Sequence, residues 1–182
     1  MILITGGARS GKSRLAEQFA AQQGDNVLYI ATSIVTDDEM VERIAIHQQT
    51  RPAQWVTHEG YTELGDVIRH KAAGCNAIML ECITTMITNL MFDKTGDIPA
   101  EEMDFTAIEQ RITEEIEDLI DACLASPSPV YLVTNEVGFG IVPDNLLSRR
   151  FRDIAGRVNQ RLAANAKEMY LVISGIELKM KG

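Results

Sequence analysis

Residues 6–13 read Gly6-Gly7-Ala8-Arg9-Ser10-Gly11-Lys12-Ser13, which satisfies the pattern G-x-x-x-x-G-K-[ST]. The apolar run at residues 2–5 precedes this stretch and an amphipathic run starts at Lys12, so the pattern lies between a predicted strand and a predicted helix. Glycines in such a loop let backbone N–H groups turn toward phosphate oxygens, and the following helix adds its positive N-terminal end. The stretch therefore predicts a nucleotide phosphate-binding loop rather than a plain glycine-rich turn.

Two side chains of this loop, and one acid elsewhere, predict how phosphate and metal are held. We expect Lys12 to reach the β- and γ-phosphates and Ser13 to bind Mg²⁺ or another divalent metal. Glu81 follows a hydrophobic strand and is the candidate second metal ligand. Glu136 competes for that role, and Glu81 could instead cap the next helix. The loop serves kinases, GTPases and motor ATPases alike, so it does not choose among them.

Predicted strands and helices alternate along the chain. Short apolar runs predict buried strands at residues 2–5, 27–31, 77–80, 130–134 and 170–174, with a further short strand at 55–58. Amphipathic stretches predict helices at residues 12–23, 37–50, 61–73, 105–124 and 145–166. Residues 93–104 suit a surface connection. The alternation predicts one α/β domain over residues 1–182, a RecA-like three-layer P-loop fold with a largely parallel central sheet.

Composition narrows the function classes. The 182 residues carry a formal net charge of -9, which argues against broad binding of nucleic acid or of anionic membranes. No apolar run approaches the roughly 20 residues that a membrane-spanning helix needs. The chain starts directly in a predicted strand without an export signal, and its three cysteines lack C-x-x-C spacing. We therefore expect a cytoplasmic protein with free core thiols and no membrane insertion.

A histidine lies on a cationic face of the predicted helix at 37–50. Arg43, His47 and Arg51 follow one another at intervals of four, so they can share one helical face. A neutral imidazole is a competent nucleophile toward phosphorus, and flanking guanidinium groups can neutralise phosphate oxygens. From spacing alone, a solvated surface histidine is the more common outcome. The spacing thus leaves both interpretations open.

Taken together, these segments resemble a known family. The stretches that carry the likeness are residues 4–13, 29–32, 38–40, 43–44, 47, 51–52, 55, 81–85, 88–89, 134–138, 140–143 and 152–160. The combination of G-G-A-R-S-G-K-S with N-E-V-G-x-G-I-V-P and R-D-x-A-G-R-x-N-Q is highly specific. Over essentially its whole length the chain is similar to the bifunctional adenosylcobinamide kinase/adenosylcobinamide-phosphate guanylyltransferases of cobalamin biosynthesis.

The resemblance implies two reactions on one corrinoid substrate. The first phosphorylates the aminopropanol hydroxyl of adenosylcobinamide with ATP or GTP. The second transfers GMP from GTP to adenosylcobinamide phosphate through a guanylyl-histidine intermediate, giving adenosylcobinamide-GDP and pyrophosphate. A plain small-molecule kinase, which needs the loop but not His47, is the rival enzyme. A GTP-binding switch protein is the rival of another class, although the guanine-specific element N-K-x-D is missing from the sequence.

The resemblance also assigns residues. It implies that His47 carries the guanylyl group, with Lys12 acting at the phosphates. It implies nucleotide contacts at the following positions: Gly6, Gly7, Ala8, Arg9, Ser10, Gly11, Lys12, Ser13, Ser33, Ile34, Val35, Gln48, Gln49, Thr50, Arg51, Glu59 and Glu81. Ile46 departs from the family pattern, in which a polar or basic residue is expected. The family further implies a homotrimer with nucleotide near the subunit boundaries.

Two further segments have open interpretations. Residues 135–140 follow a predicted strand end, where ligands gather in open α/β sheets, or their glycines serve only a turn. A basic run (Arg149, Arg150, Arg152, Arg157 and Arg161) predicts an exposed helix surface or a subunit contact, with a phosphate role as the alternative.

Overall fold

A computed structural model describes residues 1–34, 52, 54–93, 95 and 98–182. The strands are β1 Ile2–Gly6, β2 Val27–Ala31, β3 Val56–Glu59, β4 Ala77–Glu81, β5 Val130–Asn135, β6 Glu168–Ile173 and β7 Ile176–Lys181. The helices are α1 Lys12–Ala21, α2 Leu64–Lys71, α3 Ile83–Phe92, α4 Phe105–Ala125 and α5 Leu146–Asn165, with a 3-10 turn at Ala100–Glu102. The helix predicted at 37–50 lies outside the described residues.

The strands form one sheet in the order β3-β2-β4-β5-β1-β6-β7. Each neighbouring pair from β3 to β6 is parallel, and β6 pairs with β7 antiparallel. Because parallel strands end at the same edge of a sheet, the carboxyl ends of β1, β4 and β5 lie side by side. This edge holds the phosphate-binding loop.

Side chains alternate between the two faces of the sheet and so build two cores. Ile78 and Leu80 of β4 belong to the larger core, which also contains buried side chains from α2, α3, α4 and α5. Met79, between them in sequence, belongs to the smaller core with residues of α1 and with Trp55. Helices therefore cover both faces, which gives the three-layer α/β architecture that the alternating pattern predicts.

Helix boundaries follow from local capping. The Asp104 carboxylate accepts hydrogen bonds from the N–H groups of Thr106 and Ala107, and the Asn145 side chain accepts one from Ser148 N at 2.8 Å. These bonds satisfy free amides at the starts of α4 and α5. Within the described residues, no helix has the length and apolar character that crossing a bilayer requires.

The sequence prediction missed two elements, the helix α3 and the strand β7. The helix α3 reads Ile-Thr-Thr-Met-Ile-Thr-Asn-Leu-Met-Phe, and its β-branched residues blur the helical period. Burial of Ile83, Met86, Ile87 and Leu90 stabilises it instead. The strand β7 follows a two-residue turn at Ser174 and Gly175, whose φ angles of 53° and 81° suit a tight hairpin. The alternation of residues 176–181 is its sequence signal.

The prediction of free core thiols is confirmed in part. All three cysteines are free; Cys82 and Cys123 are buried, whereas Cys75 is only partly buried, so the prediction of three core thiols is wrong for Cys75.

In the basic run of α5, Arg157 binds both carboxylate oxygens of Glu109 on α4, and Arg161 binds Glu117. These exposed pairs hold α5 to α4 and contribute at most about 1 kcal/mol each.

Candidate active site

The phosphate-binding loop turns tightly between β1 and α1. Backbone N–H of Ser10 donates to Gly7 O at 3.3 Å, and the loop ends at Gly11, whose φ is 100°. A Cβ at Gly6 would lie 2.4 Å from the carbonyl oxygen of Val172, so only glycine fits where the loop leaves the sheet. At Gly7 no atom of the described residues lies within 4 Å of the corresponding position, so they leave this side of the loop open to a ligand.

Lys12 is buried and folded back over the loop. Its side chain is 8% exposed, and Nζ donates to Gly7 O at 3.1 Å. A buried ammonium group needs strong acceptors, and a loop carbonyl alone is a weak one. The cation is therefore placed where a phosphate oxygen can become its partner.

A hydroxyl in the loop is buried and unpartnered. Among the described residues, Ser10 Oγ finds no hydrogen-bond partner although Ser10 is only 8% exposed. Buried polar groups usually have a partner, so an unpaired one in a ligand loop indicates a missing group. The hydroxyl is thus available to a bound ligand or to a water molecule.

Glu81 lies beside the loop at the end of β4. Ser13 Oγ, on the first turn of α1, donates to Glu81 Oε1, and Tyr29 Oη donates to Glu81 Oε2 at 2.9 Å. Glu81 does not cap α3, since the N-cap residue is Cys82 and no side chain bonds the free amides there. Tyr29 is buried against Trp55, with ring centroids 6.2 Å apart. The carboxylate is therefore held at both oxygens and turned toward Ser13.

The competing acid, Glu136, has a different environment. Its Oε1 accepts a hydrogen bond from Gly138 N at 2.6 Å, so the carboxylate closes its own loop. Its backbone N–H donates to Gly6 O at 3.1 Å. Of the two candidate acids, Glu81 is the one whose carboxylate contacts Ser13.

A polar network lies under this edge, between the ends of β2, β4 and β5. Thr32 Oγ1 accepts from Cys82 N at 2.9 Å and donates to Cys82 O at 2.8 Å. Asn135 Nδ2 donates to Thr84 Oγ1 at 2.6 Å, and Thr84 Oγ1 lies 2.8 Å from Cys82 Sγ. A satisfied buried network of this kind fixes the backbone from which Glu81 projects.

The β6–β7 turn supports the loop from the other side. Gly175 N donates to Ser10 O at 2.8 Å, and a Cβ at Gly11 would approach Gly175 Cα to 3.3 Å. Sequence reasoning missed this contact, as well as the contact from Tyr29. The resemblance did quote residues 29–32, whereas no local pattern links residue 175 to residue 10.

Some of the remaining candidate residues lie within the described part of the chain, and the others lie outside it. Ser33 and Ile34 follow β2, next to the end of β4, where Thr32 N donates to Glu81 O at 2.9 Å. Glu59 ends β3 and pairs in register with Ala31 of β2. The other candidates, Val35, His47, Gln48, Gln49, Thr50 and Arg51, lie outside the described residues.

The donors at the loop suit a magnesium ion. No group of three or more histidine, cysteine or acidic side chains that could hold a metal occurs within the described residues. Mg²⁺ prefers oxygen ligands and commonly takes only one or two from protein, the rest from phosphates and water. Ser13 Oγ and Glu81 Oε1 form such a partial set, so the residues present fit a magnesium–nucleotide complex.

Comparisons with known proteins identify the family. Residues 2–180 match the family model described as cobinamide kinase / cobinamide phosphate guanyltransferase. The chain is 55% identical to the bifunctional adenosylcobalamin biosynthesis protein CobU of Escherichia coli, over 100% of this chain and 99% of the relative. It is 56% identical to CobU of Salmonella typhimurium over the same shares. It is 39% identical to the bifunctional adenosylcobalamin biosynthesis protein CobP of Pseudomonas aeruginosa, over 99% and 96% of the two chains.

The fold is also similar to a solved P-loop ATPase. The match is to an ATPase from the type III secretion system of pathogenic bacteria, with a TM-score of 0.55 and 13% identity. It covers 93% of this chain and 50% of the ATPase, so the chain spans half the length of that protein. At this identity the likeness shows the fold alone, and it confirms the predicted P-loop α/β class.

Proposed function

We propose, because this chain belongs to the cobinamide kinase / cobinamide phosphate guanyltransferase family, that it is a bifunctional enzyme acting on adenosylcobinamide. It phosphorylates the aminopropanol hydroxyl of that substrate and then transfers GMP from GTP to the new phosphate. The observation that carries the proposal is the arrangement at the phosphate-binding loop, where Ser13 contacts Glu81 and Lys12 lies buried over Gly7. The same residues can hold the triphosphate in both reactions.

In the kinase step, the substrate hydroxyl attacks the γ-phosphorus of ATP or GTP. A new P–O bond forms, the bond to the β-phosphate oxygen breaks, and the nucleoside diphosphate leaves. Lys12 stabilises the charge that develops on the β- and γ-phosphate oxygens. Bound Mg²⁺ supplies neutralisation of phosphate charge, and Ser13 and Glu81 would hold it.

In the guanylyl transfer, we assign the nucleophile to His47. Its imidazole nitrogen attacks the α-phosphorus of GTP, so that a P–N bond forms and pyrophosphate leaves. A phosphate oxygen of adenosylcobinamide phosphate then attacks the same phosphorus, the P–N bond breaks, and adenosylcobinamide-GDP is released. The spacing of Arg43 and Arg51 on either side of His47 supports this role, since both guanidinium groups can neutralise phosphate oxygens.

The remaining nucleotide contacts belong to the same proposal. Ser33 and Ile34 follow the carboxyl end of β2, and Glu59 is the last residue of β3, so all three lie at the sheet edge that carries the phosphate-binding loop. We assign nucleotide contacts to them, together with Val35, Gln48, Gln49, Thr50 and Arg51. The family resemblance supports that assignment.

We further propose that the protein forms a homotrimer in the cytoplasm. Within the described part of the chain β7 is the outermost strand beside β6, and Ile173, Ile176, Leu178 and Met180 are 58, 73, 58 and 56% exposed. The register Ile173↔Ile176 and the alternation along β7 place these side chains on one face. An exposed apolar sheet edge of this kind supports self-association. The free thiols fit a reducing compartment.

The proposed function is tested with α-labelled GTP and Mg²⁺. The wild-type protein should acquire an acid-labile label, and adenosylcobinamide phosphate should remove it as adenosylcobinamide-GDP. His47→Ala should abolish the label and retain kinase turnover. His70→Ala is the matched control, because His70 is exposed on α2 and its side chain bonds to Asp66 O of its own helix. An unlabelled wild type, or full labelling of His47→Ala, would rule out the guanylyl-histidine.

A further inference from the structure

The loop at residues 137–143, which connects β5 to α5, exposes large apolar side chains. Phe139, Ile141 and Val142 are 83, 96 and 61% exposed. Single apolar residues are common on protein surfaces, but a cluster of large ones within four positions marks a contact surface. This loop therefore carries a surface that no other described part of the chain covers.

The loop starts next to the phosphate-binding loop. Asn135, the last residue of β5, pairs in parallel register with Gly6, and Glu136 N donates to Gly6 O at 3.1 Å. The chain thus leaves the sheet directly beside the first residue of the nucleotide loop. Whatever the apolar side chains bind is held near the reacting phosphates.

Packing and hydrogen bonds hold both ends of the loop in place. Val137 packs against the larger core, and Gly138 N donates to Glu136 Oε1 at 2.6 Å. At the other end, Arg149 of α5 donates to Pro143 O at 3.0 Å and to Asp144 O at 2.6 Å. Anchoring at both ends reduces the entropy that binding must overcome. The exposed tip is therefore presented in a defined place.

We propose that Phe139, Ile141 and Val142 bind the corrin macrocycle of the acceptor substrate. This inference rests on the proposed function, since it names the binding surface for the corrinoid in that reaction. A corrin is a broad ring with an apolar face and a rim of amides, and its acceptor hydroxyl sits on a flexible side arm. At Gly140 no atom of the described part of the chain lies within 4 Å of the position of a Cβ, so those residues leave room for a flat ring to approach the backbone.

A second copy of this chain is the competing occupant. The β6–β7 hairpin already offers four exposed apolar side chains for that purpose, at the outer edge of the sheet that the described residues form. The 137–143 loop instead joins the carboxyl edge of the sheet, where substrates bind in open α/β folds. The acceptor must also reach the γ-phosphate held by Lys12. These placements favour the substrate.

The test compares Phe139→Ser and Ile141→Ser with a matched control, Leu124→Ser. Leu124 is 54% exposed near the end of α4, and α4 leads into the amino end of β5, the opposite edge of the sheet. Adenosylcobinamide binding is measured by equilibrium dialysis, turnover by phosphorylation of adenosylcobinamide, and molar mass by light scattering. Each loop variant should bind adenosylcobinamide about 10- to 100-fold more weakly, from the transfer free energy of one large apolar side chain.

The outcomes separate this inference from the proposed function. Weakened corrinoid binding with unchanged GTP affinity and unchanged molar mass supports the inference. Loop variants that bind the corrinoid as tightly as Leu124→Ser overturn it and leave the proposed function standing. A reduced molar mass with corrinoid affinity retained assigns the loop to subunit contacts and also overturns it. A wild-type protein that neither binds nor phosphorylates adenosylcobinamide removes the proposed function itself, and the inference with it.

Discussion

Tyr29 Oη donates a hydrogen bond of 2.9 Å to Oε2 of Glu81, while the other oxygen of that carboxylate faces Ser13. The tyrosine is 2% exposed and comes from β2, the strand beside β4. It therefore positions an acidic side chain from a neighbouring strand. Groups that orient metal ligands in this way strongly influence metal affinity.

Removing the Tyr29 hydroxyl should weaken the response to magnesium. Tyr29→Phe keeps the ring and its packing on Trp55 but frees one oxygen of Glu81, so we expect about a tenfold higher Mg²⁺ requirement. The measurement is Mg²⁺-dependent binding of a fluorescent GTP analogue, alongside turnover. Tyr131→Phe is the control, because Tyr131 lies in the same core but pairs with Gln23. Equal Mg²⁺ requirements in both variants would contradict the positioning role.

Replacement by alanine should lower stability at Gly6 but leave it nearly unchanged at Gly7. A Cβ at Gly6 would overlap Val172 O, so Gly6→Ala should lower the free energy of unfolding by about 1–3 kcal/mol and weaken nucleotide binding. The Cβ of Gly7→Ala would have no atom of the described residues within 4 Å, so this variant should change stability by less than about 0.5 kcal/mol. Urea denaturation and GTP titration measure both effects. Similar losses of stability in the two variants would disprove the steric account.

The network below the loop should be sensitive at Thr84. Thr84→Val removes the oxygen that accepts from Asn135 Nδ2 at 2.6 Å, and we expect a loss of about 1 kcal/mol in the free energy of unfolding. Thr88→Val is the control, since Thr88 Oγ1 donates within its own helix, to Thr84 O at 3.0 Å. Urea denaturation at one pH compares the two. A control that loses as much stability as Thr84→Val would locate the effect in helix propensity.

His58 should make stability depend on pH. Burial, and then the nearby positive charge of Lys71, lower the pKa of His58 below its ordinary value. The unfolded chain therefore binds more protons than the folded chain as pH falls below about 6.5, so the free energy of unfolding decreases there. The contribution is present above that pH and lost below it. His58→Gln should flatten the difference in urea midpoint between pH 7.5 and pH 5.5, and an unchanged difference would refute the assignment.

Cys123 should resist alkylation in the folded protein. Burial raises the pKa of its thiol to about 12, and the residue is 3% exposed. At pH 8 its thiolate is about a thousandfold scarcer than that of an ordinary cysteine. Mass spectrometry after iodoacetamide treatment should find Cys123 modified only in urea. Modification in the native protein at the rate of the partly buried Cys75 would contradict this environment.

Sequence patterns predicted most of the fold because its central strands are continuous apolar runs. The strand predicted at 27–31 matches β2 residue for residue, and the short strand predicted at 55–58 is β3, shifted by one position. The prediction missed α3 because its threonines and isoleucines blur the helical period. It missed β7 because the alternating residues 176–181 were not recognised as an antiparallel partner of β6. Local patterns report burial periods; they do not report the partners that make an ambiguous segment helical or extended.

The candidate site, like the fold, was predicted only in part from the sequence. The order of glycines, lysine and serine in residues 6–13 by itself predicted a phosphate-binding loop there, because that spacing turns backbone amides inward at the start of a helix. Tertiary structure alone decided that Glu81 rather than Glu136 faces Ser13, and that Tyr29 and Gly175 support the loop. These residues lie far apart in sequence and meet because β2, β4, β5, β1 and β6 are successive neighbours in the sheet. Such adjacency depends on strand order, which no short stretch of sequence encodes.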